Sequence, residues 1–324
     1  MNARTRSHTV KRPLSEGLSL LVACGALALL TGCSALPPHP EIDEGVENFS
    51  ARRARAHFAA LAGLGPRSPG SETEGRARAY VERELEWAGA EVVGRADQAE
   101  EDPTARTRPV LAWIPGASPD RVLIVVPWSP GGERTGPDDA GIATLLELAR
   151  ALSRRPSPYT VGLAAAIVSS EGDAPDPGRE AVRASGVALV AALDPEADWA
   201  TLRAVLVVEP RADAPGQIAR DLRSHPVFRD LFWRTAARLG HAATFPQEGG
   251  WSTPKGIQGA FLSAGYGRVL SLVDDSPSAS PVSGQDAAAG LPDETAFEPV
   301  GTVAYEGLLR LMGRLARVDA FSPE

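Results

Sequence analysis

Residue types that can do chemistry are few in this chain, which holds two cysteines and five histidines in 324 residues. Cys33 directly follows Leu30-Thr31-Gly32. It closes a stretch that opens with Arg4, Arg6, Lys11 and Arg12 and continues through an apolar run from Leu18 to Leu30. A basic start, a short apolar run and small residues before a cysteine make the three-part layout of an export signal. The run is shorter than the about 20 apolar residues a membrane span requires. The chemistry expected at Cys33 is cleavage before it and lipidation of its thiol. Cys24 lies inside the run and leaves with it, so no disulfide and no cysteine zinc site can form within one mature chain. Of the histidines, His39 sits in a proline-rich stretch, His57 in the first expected helix, and His225 and His241 flank a helix from Phe228 to Leu239. None ends an expected strand, and each reads as a surface or capping histidine. Ser170 and Ser252 lie in no Gly-x-Ser-x-Gly elbow and have no histidine placed to activate them.

The Leu30-Thr31-Gly32-Cys33 segment resembles the bacterial lipobox, which implies a signal peptide over residues 1–32 and a lipid attachment and tether over 33–49. A domain over 50–318 and a short tail over 319–324 follow. The expected location is the cell envelope, lipid-anchored and facing the periplasm or the cell exterior. Removing 1–32 takes away four basic residues and Glu16, which moves the net charge from −8 to −11. So acidic a body is a poor partner for nucleic acid.

The elements that must position any site follow from periodicity and punctuation. Ser50 caps a helix through Leu61, with Phe58 and Leu61 inward and Arg52, Arg53 and Arg55 mostly outward. Ser71 and Glu74 form a capping box for a second helix that Gly89 stops. Continuously apolar strands are expected at 110–114, 123–126, 161–168, 204–208 and 269–273, with helices at 142–152, 227–239 and 300–318. That order implies an α/β fold, a three-layer α/β/α sandwich around a mostly parallel or mixed sheet. Ligands would bind at the carboxyl ends of the strands, where loops 127–141, 169–180 and 209–216 emerge.

The segments also stand in a familiar order. Leu61-Ala62-Gly63-Leu64-Gly65-Pro66-Arg67 with Pro69-Gly70-Ser71, then Ile114-Pro115-Gly116 and Pro119-Asp120-Arg121-Val122, resemble the zinc-dependent aminopeptidases and glutaminyl cyclases of the MH clan. So do Asp138-Asp139 ahead of Leu145-Leu146-Glu147-Leu148-Ala149, and Phe261-Leu262-Ser263-Ala264-Gly265 ahead of Val269. The resemblance implies a zinc site of two histidines and three carboxylates, with a further glutamate moving protons for the metal-bound water.

Carried over by position, the ligand set is incomplete. The turn that carries the family's first histidine reads Val125-Val126-Pro127-Trp128-Ser129 here. Asp138 matches the bridging aspartate. Glu171, in Ser169-Ser170-Glu171-Gly172, keeps one carboxylate of the Glu-Glu pair, as a ligand or, if active, as the base. Glu209 matches the next aspartate. Gly256-Ile257-Gln258 stands where the family has a Ser-Asp-His segment and Ala279-Ser280-Pro281-Val282-Ser283 where it has a late Trp-His-Thr turn, and neither holds a histidine. Asp138, Glu171 and Glu209 are residual ligand positions, an all-oxygen set that suits a hard cation better than zinc.

The expected function is therefore a membrane-anchored lipoprotein whose peptidase-like domain is inactive and acts as a binding or scaffolding module for a peptide or protein ligand, with no cofactor. Trp128, Trp251 and Tyr266 are candidates for an apolar cleft lining. The ring of Trp128 would fill space that a metal needs. The alternative is an active metal-dependent aminopeptidase or glutaminyl-peptide cyclotransferase with a rebuilt zinc site that recruits Asp173, Asp213, Asp274 or Asp275.

Overall fold

Every residue from Val122 to Trp128 is buried, the signature of a strand covered on both faces. The computed structural model describes residues 36–40, 47–65, 67–68, 70–93, 108–129, 139–168, 177–193, 197–210, 216–247, 251–252, 256–273 and 291–320. Six strands make the main sheet: β1 (Glu91–Val93), β2 (Val110–Ile114), β3 (Ser118–Trp128), β4 (Tyr159–Ile167), β5 (Leu202–Glu209) and β8 (Val269–Val273), in the order β1-β2-β4-β3-β5-β8. β4, β3, β5 and β8 run parallel, and β2 and β1 add antiparallel at one edge, so the sheet is mixed. Register is fixed by pairs such as Val122 with Val161 and Val125 with Val207. A second, two-stranded sheet pairs β6 (Arg220–Asp221) with β7 (Trp251–Ser252).

Eight α-helices lie among the described residues: α1 (Ala51–Ala62), α2 (Glu72–Trp87), α3 (Asp139–Ser153), α4 (Pro177–Ala192), α5 (Ala197–Thr201), α6 (Pro226–Arg238), α7 (Gly256–Ser263) and α8 (Glu298–Asp319). The strands sort them by the alternation of their side chains. Val122, Ile124, Val126 and Trp128 share one apolar cluster with α1, α2, α3, α6 and α8. Leu123 and Val125 join the cluster of α4 and α7 on the other face. The result is the expected three-layer α/β/α sandwich. α3 is buried from Asp139 through Leu152, as a helix enclosed by the sheet and other helices must be.

Local chemistry sets the ends. Ser50 Oγ accepts from Arg53 N at 3.3 Å and Ser71 Oγ from Glu74 N at 3.2 Å, capping α1 and α2. The Glu74 carboxylate reaches the N–H of Gly70 rather than that of Ser71, so the box closes one residue early. α4 and α7 carry no strong sequence signal, yet they pack tightly because of Gly186, where a Cβ would come 2.8 Å from Ile257 Cα.

Three expectations need correction. The stretch before residue 50 is not a free tether at Pro37–His39: Arg83 donates to the Pro37 carbonyl, His39 Nδ1 lies 2.5 Å from Glu84 Oε2, and the His39 ring packs on Trp87 at 4.2 Å. Arg53 is buried, not outward. His57 is neither a surface nor a capping residue; it is buried with Nδ1 2.8 Å from Tyr80 Oη, paired through a contact that periodicity does not reveal.

Candidate functional site

The carboxyl ends of β3, β4, β5 and β8 bring together Trp128, Ile167, Glu209 and Val273, and α3 opens beside them at Asp139. Glu209 pairs in register with Val273 and is partly exposed. The central feature is a buried interlock. Arg67, from the break between α1 and α2, places Nη2 2.5 Å from Asp139 Oδ2. The Trp128 indole donates through Nε1 to Asp139 Oδ1 at 3.3 Å. Trp128 and Asp139 have no exposed surface, and Arg67 has 2%.

Both carboxylate oxygens of Asp139 are thus engaged by protein donors. Burial pushes its carboxyl up from the ordinary range, against the pull of the Arg67 charge and the bonds from Arg67 and Trp128. Arg67 keeps Nε and Nη1 buried without a partner among the described residues, so Asp139 is the counter-charge that makes its burial tolerable. The sequence placed Asp139 only as the neighbour of a ligand. Its bond to Arg67, 72 residues away, has no local signal.

The other sequence-derived positions divide as follows. Cys33, Asp138, Ser170, Glu171, Asp173, Asp213, Asp274 and Asp275 lie outside the described residues, as does the segment 279–283. Trp128 stands where expected, at the end of β3, but as a fully buried plug and not as an exposed cleft lining. Tyr266 is a correction: its hydroxyl donates to the carbonyl of Leu202, the first residue of β5, at 2.9 Å, and its ring packs on Trp199 and Phe261. That places it at the amino ends of the parallel strands, away from the site, and burial raises its pKa. Trp251 contributes its backbone to β7. Gln258, in the segment that replaces a histidine-bearing one, is buried and bonded through its amide to Asp221, with Ser224 Oγ 2.6 Å from the same carboxylate oxygen.

Of the three residual ligand positions, Glu209 is the one among the described residues. Trp128 has no metal-binding atom, Asp139 is held by Arg67, and Glu209 is the remaining carboxylate. Among the described residues no group of three or more histidine, cysteine, aspartate or glutamate side chains is placed to hold a metal ion.

Sequence reading also missed a cavity of about 210 Å³ in the helical layer, lined by His39, Arg53, His57, Glu84, Trp87 and Arg150. Burial, and then the neighbouring His39 and Arg53 charges, lower the His57 pKa to about 3, so this imidazole is neutral at neutral pH.

No protein-family model matches the sequence, and no curated protein matches it. Solved structures do match the fold. A glutaminyl cyclase from an Acidobacteriales bacterium superposes with a TM-score of 0.63 at 15% identity, over 86% of this chain and 99% of that one. A leucine aminopeptidase precursor from Bacteroides thetaiotaomicron VPI-5482 gives 0.63 at 16% identity, over 81% and 97%. A Zn-dependent exopeptidase from Parabacteroides distasonis ATCC 8503 gives 0.59 at 16% identity, over 82% and 98%. The chain therefore has the fold of glutaminyl cyclases and zinc-dependent exopeptidases. Identity this low establishes the fold and not the activity.

Proposed function

We propose that this protein is a membrane-anchored lipoprotein whose glutaminyl cyclase-like domain is catalytically inactive and works as a binding or scaffolding module for a peptide or protein in the cell envelope. The observation that carries the reading is the interlock at the carboxyl end of β3. Trp128 stands in the turn where the resemblance puts the family's first histidine, and gives its indole N–H to Asp139, whose other oxygen is taken by Arg67. An aminopeptidase or cyclase of this fold needs a metal-bound water or a polarised carbonyl at that place. The indole of Trp128 can neither ligate a metal nor accept a proton.

The anchor half of the reading rests on the signal layout ending at Cys33. Its test is membrane fractionation of the wild-type chain against Cys33→Ser. The wild type is expected with the membranes and the variant uncleaved and unacylated by mass; a wild type without acyl mass refutes it. The inactive half is tested with the purified chain on aminoacyl and amino-terminal glutaminyl substrates with zinc supplied. The expected rate is the uncatalysed one. Turnover that Glu171→Gln abolishes would establish the enzyme reading instead.

A further inference from the structure

Four arginines rim a groove of about 540 Å³ between α6 and α8: Arg238 on one side and Arg310, Arg314 and Arg317 on the other, over a floor that includes Leu231 and Leu309. All four are exposed, and Arg234, one turn before Arg238, is exposed too. Arg310 and Arg314 stand four apart, and Arg314 and Arg317 three apart, so like charges are stacked on one helix face at a cost to helix stability. Arg238 and Arg317 sit in the last turns, where a cation suits the helix dipole. Arg310 and Arg314 lie further from that end and draw less from it. Among the described residues the one ion pair made by a rim arginine is that of Arg310 with Glu306, at 4.0 Å. In a chain of net charge −8 this concentration of guanidinium groups awaits an anion.

Two further observations say which one. The groove and the held segment Pro37–His39 lie in the same helical layer, at its two edges: α2 covers β1 and β2, and α6 and α8 cover β8 and β5. Only three residues separate Pro37 from Cys33. Beside His39, Trp87 is 65% exposed, and amphipathic rings of this kind favour the level of lipid head groups.

We propose that the arginine-rimmed groove between α6 and α8 docks on the phosphate groups of anionic phospholipids in the bilayer that Cys33 enters, fixing which face of the domain the membrane meets. The proposal rests on the anchor reading above. Arginine forks suit phosphate oxygens, and the apolar floor lies between them, as in surfaces that sit at an interface.

The test reconstitutes the full lipidated chain in vesicles of phosphatidylcholine alone or mixed with phosphatidylglycerol, and treats both with an arginine-directed dicarbonyl reagent. Peptide mass spectrometry reads the modification rates of Arg238, Arg310, Arg314 and Arg317, with exposed Arg183 on α4 as reference. Anionic vesicles are expected to slow the groove arginines about fivefold each, a magnitude set by one basic residue at an anionic surface. Arg183 is expected to be unchanged. Arg314→Glu is expected to restore the neutral-vesicle rate at Arg310 and Arg317. Equal rates in both vesicle types overturn the proposal. So does slowing by inorganic tripolyphosphate in detergent with none on anionic vesicles, which would assign a soluble phosphate ligand. Failure of the anchor is read separately, as a chain that does not co-float with neutral vesicles, while the anionic arm still tests the groove.

Discussion

Replacing Asp139 by asparagine changes almost nothing in size and removes one charge. The new amide would keep an oxygen for the Trp128 indole, whereas Arg67, with 2% exposure, would lose its counter-charge. Removing one partner of a buried ion pair costs about 3–5 kcal/mol, a large share of the about 5–15 kcal/mol by which domains are stable. Urea unfolding followed by tryptophan fluorescence at pH 7 measures it. Arg67→Met should cost a similar amount at pH 7, but its pH dependence differs. Burial raises the Asp139 carboxyl, and without Arg67 that shift grows. A carboxyl raised in the folded state contributes stability below its unfolded pKa and loses it as pH rises through the folded one. Arg67→Met should therefore gain stability as pH is lowered, relative to Asp139→Asn, whose amide does not titrate. The double variant should cost less than the sum by about 2–3 kcal/mol. A loss below about 1 kcal/mol for Asp139→Asn, or strict additivity, would refute a buried interlock at this end of the sheet.

Other outcomes follow from the helical layer. The His57 pKa is depressed to about 3 in the folded state, against about 6.5 unfolded, so its contribution is full above pH 6.5 and is lost as pH falls toward 3. Linkage gives a loss of about 2 kcal/mol at pH 5. The gap in stability between wild type and His57→Asn should shrink by that amount from pH 7 to pH 5; a constant gap contradicts a buried neutral imidazole. Gly186→Ala puts a methyl 2.8 Å from the Ile257 backbone, and should cost about 1–3 kcal/mol by overpacking, seen as a lower thermal midpoint. An unchanged midpoint would mean that α4 and α7 are not in close contact.

The sheet was legible because its strands are apolar runs: 110–114 and 269–273 match β2 and β8 at both ends, and the other three lengthen by one to five residues at an end or, for β4, lose one. β1 was not, since Glu91–Val93 is short, half-exposed and held only by pairing to β2. α4 escaped because Gly186 and Ser185 interrupt its apolar face where it touches α7. At the site, the resemblance located the end of β3 and the start of α3 correctly. It gave no hint of Arg67 crossing to Asp139, because that bond depends on where a loop between helices is folded in space. Tyr266 misled for a related reason. Its position just ahead of the strand at Val269 was visible, but which end of the sheet its ring would meet was decided by a hydrogen bond to Leu202.

The central proposal, that this fold carries no metal chemistry in this chain, is tested most directly by metal content. Protein purified without chelators, and assayed for zinc by elemental mass spectrometry, should carry far less than one equivalent per chain. One tightly held equivalent of zinc, lost with Glu209→Ala and retained in Trp128→Phe, would contradict it.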